Sequence, residues 1–209
     1  GCSTQGPLAV RFGREIDEQM LAELPRRSGS VLLLADAAFW TDKQRVSRIP
    51  IARREKTFII GPGAAAMAGS MLSRIFDEVV PARHLDRVEN LERFDFVIRL
   101  VQESFDSRAL FLPLLANHRF RVGLGAEVFR PDAGSPGKLD ELGKVDAVGS
   151  ESFWLLSIAP TNPLETDDRV LKKGARALNA AIQESLFALM DKLLELPELS
   201  DIESERRQW

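Results

Sequence analysis

Two histidines and one cysteine in 209 residues leave little material for metal or acid–base chemistry. His84 lies in Pro81-Ala82-Arg83-His84-Leu85-Asp86-Arg87, and His118 opens a predicted strand; both read as surface or turn histidines. Neither has a second His or Cys at ligand spacing, so no metal site is expected. A lone cysteine excludes an internal disulfide and a cysteine-rich zinc site. Gly61-Pro62-Gly63, ahead of an apolar helix, is the nearest approach to a phosphate-binding loop. Pro62 removes a backbone donor and no Gly-Lys-Ser follows, so the segment reads as a strand-to-helix turn. Ser70 sits within a helical stripe and reads as packing, not as the nucleophile of a Gly-x-Ser-x-Gly elbow. Asp140/Glu141 and Asp167/Asp168 are sequence neighbours. They suit a solvated turn and a helix N-terminus better than the carboxylates roughly 5–9 Å apart that flank a glycosidic bond. No catalytic residue and no cofactor is expected from these groups.

The remaining candidates suit recognition. Arg119, Arg121 and Arg130 project along one predicted strand. There they meet anionic lipid heads, peptidoglycan or an acidic partner, or else pair with Glu127 and the acids of the return strand. Of Trp40, Trp154 and Trp209, Trp154 stands out because it lies in the apolar run Ser152 to Ile158, outside a clear element. That run either covers the sheet or forms a contact patch between subunits of a homo-oligomer. The bulk composition is that of a folded domain, with 44% apolar and 28% charged residues. Lys plus Arg is 28 and Asp plus Glu is 31, for a net charge of −3, without the basic excess of a nucleic-acid binder. No 18-residue apolar stretch long enough to span a bilayer is present.

The cysteine has its own context, Gly1-Cys2-Ser3-Thr4-Gln5-Gly6-Pro7. A small residue before the cysteine and a polar stretch after it resemble the maturation junction of bacterial lipoproteins. The resemblance implies that Cys2 carries diacylglycerol and an amide-linked acyl chain. Gly1 is the departure, since a mature lipoprotein begins at its cysteine. One acyl chain holds a membrane marginally, whereas several hold it stably at about 0.8 kcal/mol per buried CH₂. Ser3 stands where an Asp signals inner-membrane retention in enterobacterial lipoproteins, so the resemblance points to the periplasmic face of the outer membrane. The alternative is an ordinary thiol.

Hydrophobic spacing gives the elements that must position these residues. Residues 1–7 read as a flexible leader, Leu8 to Phe12 as a short strand and Ile16 to Leu24 as a helix. Val31-Leu32-Leu33-Leu34 suits a strand buried on both faces. Arg45 to Ala52, with Pro50, suits an edge strand, and Lys56 to Ile60 another short strand. Ala64, Met67, Ala68, Met71, Leu72, Ile75 and Phe76 form one stripe of an amphipathic helix over about 62–78. Phe94 to Val101 reads as a strand with Phe94, Phe96, Ile98 and Leu100 on one face. From His118 to Phe129 the alternation is strict, with Phe120, Val122, Leu124, Ala126 and Val128 on one side. A turn follows, then a return strand from Lys138 to Ser150 interrupted by Gly143 and Gly149. Thr166 is a candidate N-cap for a long helix over about 166–196, with a stripe through Leu178, Ile182, Leu186, Leu189 and Leu193. The expected fold is α+β, a mainly antiparallel sheet packed by these two helices as an α/β sandwich. Residues 8–196 form a single domain and 197–209 a polar tail.

Two stretches carry a further resemblance. One is Phe58-Ile59-Ile60-Gly61-Pro62-Gly63-Ala64, leading through Met71-Leu72 to Ile75-Phe76-Asp77-Glu78-Val79. The other is the Arg119–Arg130 strand, a turn with Gly137-Lys138, then Gly149 and a final helix of about 30 residues. Together they resemble a group of small envelope lipoproteins that includes the YajG-like, curli-secretion, Pel-polysaccharide and penicillin-binding-protein activator lipoproteins. The resemblance implies an outer-membrane-anchored, non-catalytic structural or adaptor subunit of a cell-envelope assembly, with other envelope proteins as partners and no nucleic acid. A binding module for a lipid or glycan is the alternative, and a hydrolase the next.

Overall fold

The computed structural model describes residues 16, 18–41, 43–46, 56–111, 115–132, 134–135, 137–156 and 163–200. Cys2, the 1–7 leader, the strand expected from Leu8 to Phe12, Trp209 and residues 201–209 lie outside them, as do residues 47–55 of the expected edge strand.

The centre of the fold is β1 (Ser30–Leu34), whose apolar run is buried throughout. It lies between β4 (Glu78–Ala82) and β5 (Phe96–Phe111), parallel to both. Val31 and Leu33 join the main core, while Leu32 and Leu34 join a second cluster on the opposite face. A strand covered on both sides needs no alternation, which is why this run has none. Beyond β5, two antiparallel neighbours complete the order β4-β1-β5-β6-β7, with β6 at Leu115–Pro131 and β7 at Leu139–Leu156. The sheet is therefore mainly antiparallel by length, as expected, with a short parallel end. A separate hairpin pairs β2 (Lys43–Val46) with β3 (Lys56–Ile59). Between them in sequence and β1 lies the one-turn helix α2 (Ala37–Thr41); another short helix, α1 (Glu18–Ala22), occupies part of the expected Ile16–Leu24 helix.

Helix α3 (Gly61–Ile75) buries Ala64, Met67, Ala68, Met71, Leu72 and Ile75, the stripe read from spacing. It ends earlier than 78. Phe76 turns to extended backbone while its N–H still bonds Leu72 O. Asp77 then locks the reversal, accepting from the Gly29 N–H and donating its own N–H to Gly29 O. The next residues are β4, an edge strand where Pro81 is tolerated because one side of the ladder is open. From β4 the chain crosses to β5 through two 3₁₀ turns, Leu85–Arg87 and Leu91–Arg93. Phe94 ends the second turn and packs in the second cluster with Leu91 and Val97, so it does not share a face with Phe96, Ile98 and Leu100.

The three antiparallel strands are longer than expected. β5 continues to Phe111, and β7 runs as one strand through Gly143 and Gly149 to take in Ser152–Leu156, with a register shift at Leu142 beside Gly143 and none at Gly149. Glycine 149 is the place where the helix touches the sheet. A Cβ there would lie 2.5 Å from Ser185 N and closer still to Ala181 O, both backbone atoms of α4 (Pro163–Leu194). Thr166 is inside α4, which starts at Pro163, where a missing N–H is harmless. Leu178, Ile182, Leu186, Leu189 and Leu193 are buried as the spacing required. Side chains of α4 also occupy the exposed edge of β7. Ser185 Oγ donates to Ala147 O at 3.0 Å, Lys192 Nζ to Asp146 O at 2.6 Å, and Glu184 accepts the Ser150 N–H at 2.7 Å. Such occupation blocks pairing with a foreign strand. After α4, Leu199 in α5 (Pro197–Ser200) is buried, and the Arg27 guanidinium donates to Leu199 O and Leu194 O at the helix end.

Candidate functional site

In β6 the even-numbered residues Ala116 to Val128 enter the main core under α4, so the odd-numbered ones face away from the helix. Arg119 and Arg121 thus lie on the outer face of the sheet, both exposed. Register places Arg108 of β5 directly opposite Arg119, and Asp106 opposite Arg121. On the other side stand Ser152 and Ser150 of β7. The Arg119 guanidinium donates to Ser150 Oγ at 2.9 Å, and Arg108 pairs with Asp106 at 2.7 Å while its side chain stays 82% exposed. Two arginines facing each other across a ladder disfavour the strand pair. Among the described residues, three guanidinium groups here share one carboxylate, which gives this part of the face a net positive charge.

The next cross-strand row is apolar at both ends. Leu110 is 60% exposed on β5 and Trp154 50% exposed on β7, with Asn117 between them. Trp154 therefore belongs to a strand and not to a covering segment: its neighbour Phe153 points to the core and the pleat turns the indole outward. The opposite end of the face is neutral. There Arg99 pairs with Glu127, and Lys144 bridges Glu103 at 2.8 Å and Glu127 at 3.8 Å. The hydrogen bond it donates to Glu103 holds the Lys144 ammonium above its ordinary pKa. Glu127 is thus committed to this network and is not the partner of Arg119 or Arg121.

Arg130 does not join the patch. It is eleven residues from Arg119, an odd step, so the pleat sends it to the other face, where it lies 5.7 Å from the Phe96 ring. Arg108 and Leu110 take its place. Neither is marked by apolar alternation in Glu103 to Arg108; the signal that could have found them is the 17-residue length of β6, whose ladder demands a partner of similar length.

The other groups with chemical potential have structural roles. His118 is 1% exposed, the reverse of a surface or turn histidine, because its even position puts it in the core. Its Nε2 meets Ser107 Oγ at 2.8 Å, and the Phe120 and Phe153 rings lie 4.8 and 5.5 Å away. Burial pushes its pKa below the usual histidine value. Nδ1 has no hydrogen-bond partner among the described residues. His84 is exposed. Ser70 is exposed as well and donates to Ala66 O one turn back, so it is not in the packed stripe. Gly61 is a close-approach position: a Cβ there would lie 2.7 Å from the Phe39 carbonyl carbon. Asp140 pairs with Lys138 at 3.1 Å beside the β6–β7 turn, where Asp132 accepts the Gly134 N–H. That backbone bond holds the Asp132 carboxyl below its ordinary pKa.

No protein-family profile matches the chain, and no curated protein matches it in sequence. Solved structures that share part of its shape include three bacterial proteins. The hypothetical protein CT253 from Chlamydia trachomatis has a TM-score of 0.45 at 9% identity, covering 80% of this chain and 97% of its own. A neuraminyllactose-binding hemagglutinin homolog from Helicobacter pylori has a TM-score of 0.49 at 9% identity, covering 94% and 100%. The lipoprotein GNA1162 from Neisseria meningitidis has a TM-score of 0.30 at 14% identity, covering 70% and 99%. At these scores the likeness carries no function across to this chain.

Proposed function

We propose that the chain is a lipid-anchored bacterial envelope protein that acts by docking an acidic partner protein on the outer face of β5, β6 and β7. The carrying observation is the exposed Arg108–Arg119 pair, set opposite each other beside Arg121. An arrangement that disfavours the free sheet is offset when a carboxylate-bearing surface covers it. Trp154 and Leu110 flank the arginines, and an aromatic anchor beside arginine is the composition of an interface centre. Asn117, Ser150 and Ser152 supply hydrogen-bonding groups between them. The proposed action is non-catalytic; the Ser107–His118 pair is packed against the Phe120 and Phe153 rings. The anchor is Cys2, on the strength of Gly1-Cys2-Ser3, and the site of action is the periplasmic face of the outer membrane.

A photo-crosslinking residue at Ser152, in the native host, tests the docking face. The expected result is one discrete protein adduct whose yield falls in Arg119→Glu/Arg121→Glu and at high salt. The same residue at Ser73 of α3 should give none. Adducts indifferent to the charge reversal, or binding of the purified protein to phosphatidylglycerol vesicles through this face in place of a protein adduct, would overturn the reading. Mass spectrometry of the N-terminal peptide from native membranes tests the anchor independently, and an unmodified Cys2 removes it.

A further inference from the structure

A second site lies at the other end of the sheet. The connection leaving β1 reaches β4 through α3, which packs with Val31 and Leu33 on the inner face. The connection leaving β4 reaches β5 through residues 83–95, whose Leu85, Val88 and Leu91 pack with Leu32 and Leu34 on the outer face. Two adjacent parallel strands whose following connections take opposite faces leave a crevice at their carboxyl ends, where open α/β sheets bind ligands. The crevice is present. It has a volume of about 980 Å³ and is walled by Asp36, Ala37 and Ala38 after β1 and by Arg83 and His84 after β4. The alanines after β1 keep it open. The volume is in the range of small-molecule sites.

Its charged groups are arranged unequally. The Arg83 guanidinium is stacked 3.9 Å over the Trp40 ring. It is in no ion pair with any described carboxylate, so the ring contact holds the guanidinium while its N–H groups stay open. Arg99 reaches the crevice from β5 with one nitrogen on Glu127. Asp36 is already engaged, its Oδ1 accepting the Phe39 N–H at 2.9 Å. The remaining acids, Asp86 and Glu92, are exposed on the two 3₁₀ turns at the lip.

We infer that this crevice binds a small oxyanion, a phosphate or carboxylate group that Arg83 grips in a bidentate fork with Arg99 beside it. Asp86 and Glu92 at the lip accept from hydroxyl or amine groups of the same molecule. A planar guanidinium held by an aromatic face is suited to a two-oxygen group and poorly suited to a lone halide. The site is separate from the arginine patch on the sheet, and neither depends on the other.

Titration of the full chain followed by amide NMR tests the assignment, with inorganic phosphate, a hexose phosphate, citrate and dioctanoyl phosphatidate as probes. The expected result is saturable movement of the Ala37, Ala38 and Gly137 amides with at least one probe, weakened tenfold or more in Arg83→Gln. Arg74→Gln on α3 removes the same charge elsewhere and should leave the affinity unchanged. Saturation by phosphate or the hexose phosphate identifies a soluble ligand, by citrate a carboxylate, and by phosphatidate alone a lipid headgroup. Movement confined to the sheet arginines, no saturation with any probe up to tens of millimolar, or equal binding by Arg83→Gln would overturn the inference.

Discussion

Replacing Gly149 by alanine tests how closely α4 lies on β7. The new Cβ would lie 2.5 Å from Ser185 N, 3.0 Å from Glu184 Cβ and nearer still to Ala181 O. Ordinary contact begins near 3.4 Å, so helix and strand must part by roughly 1 Å or more. The clashing atoms are mostly backbone, so no rotamer change relieves them. A gap of that size forfeits about a quarter to a half of each dispersion contact it spans. Leu178, Ile182 and Leu186 lie on the buried face of α4 that lifts. The bonds from Ser185 to Ala147 O and from Ser150 N–H to Glu184 stretch as well. Overpacking costs about 1–3 kcal/mol and each of the two hydrogen bonds about 1 kcal/mol, so the expected loss is about 3–5 kcal/mol. Urea unfolding followed by circular dichroism should show a midpoint lower by roughly 1–2 M. Gly143→Ala on the same strand is the control: its Cβ would meet only the flexible tip of Leu196 at 3.5 Å. A change of less than about 0.5 kcal/mol is expected there. If the two variants unfold together, the close approach of helix and strand is wrong.

Three further outcomes follow from individual contacts. Because burial lowers the His118 pKa, the unfolded chain binds the extra proton first as pH falls below 6.5. Stability is therefore full above that pH and declines below it by at most about 1.4 kcal/mol per pH unit, until the folded protein titrates too. The urea midpoint of His118→Gln should fall less steeply from pH 7 to 5 than that of the parent, and parallel profiles would contradict the burial argument. Ser185→Ala removes a buried hydroxyl that donates to Ala147 O at 3.0 Å; a loss of about 1–2 kcal/mol is expected in the same assay. Gly137 has φ +84 in open space, so Gly137→Ala should cost about 1–2 kcal/mol through backbone strain alone, and no loss would mean the turn reshapes freely.

Much of the scaffold was written in local pattern. The run Val31–Leu34 announces a strand covered on both faces, because no solvent face exists for a polar residue to occupy. The stripes of α3 and α4 and the alternation in β6 follow from 3.6- and two-residue periods, and these do not need the rest of the chain. The strand β4 was hidden because Ile75-Phe76-Asp77-Glu78-Val79 continues a helical spacing. Only the Asp77–Gly29 bonds, 48 residues apart, end the helix there. Gly149 looked like a break for a similar reason: a glycine in a strand signals weakness until a helix is seen to need the space.

The candidate sites divide in the same way. Sequence alone supplied Arg119, Arg121, Trp154 and the lipoprotein-like setting of Cys2, since residue type and spacing are local quantities. It could not place Arg108 against Arg119, because cross-strand neighbours are set by hairpin register and not by spacing along one strand. Nor could it send Arg130 to the other face before the strand's full extent was known. The crevice between β1 and β4 lay further from view. It exists because parallel strands far apart in sequence end side by side and their connections leave on opposite faces, a property of topology that no single segment carries.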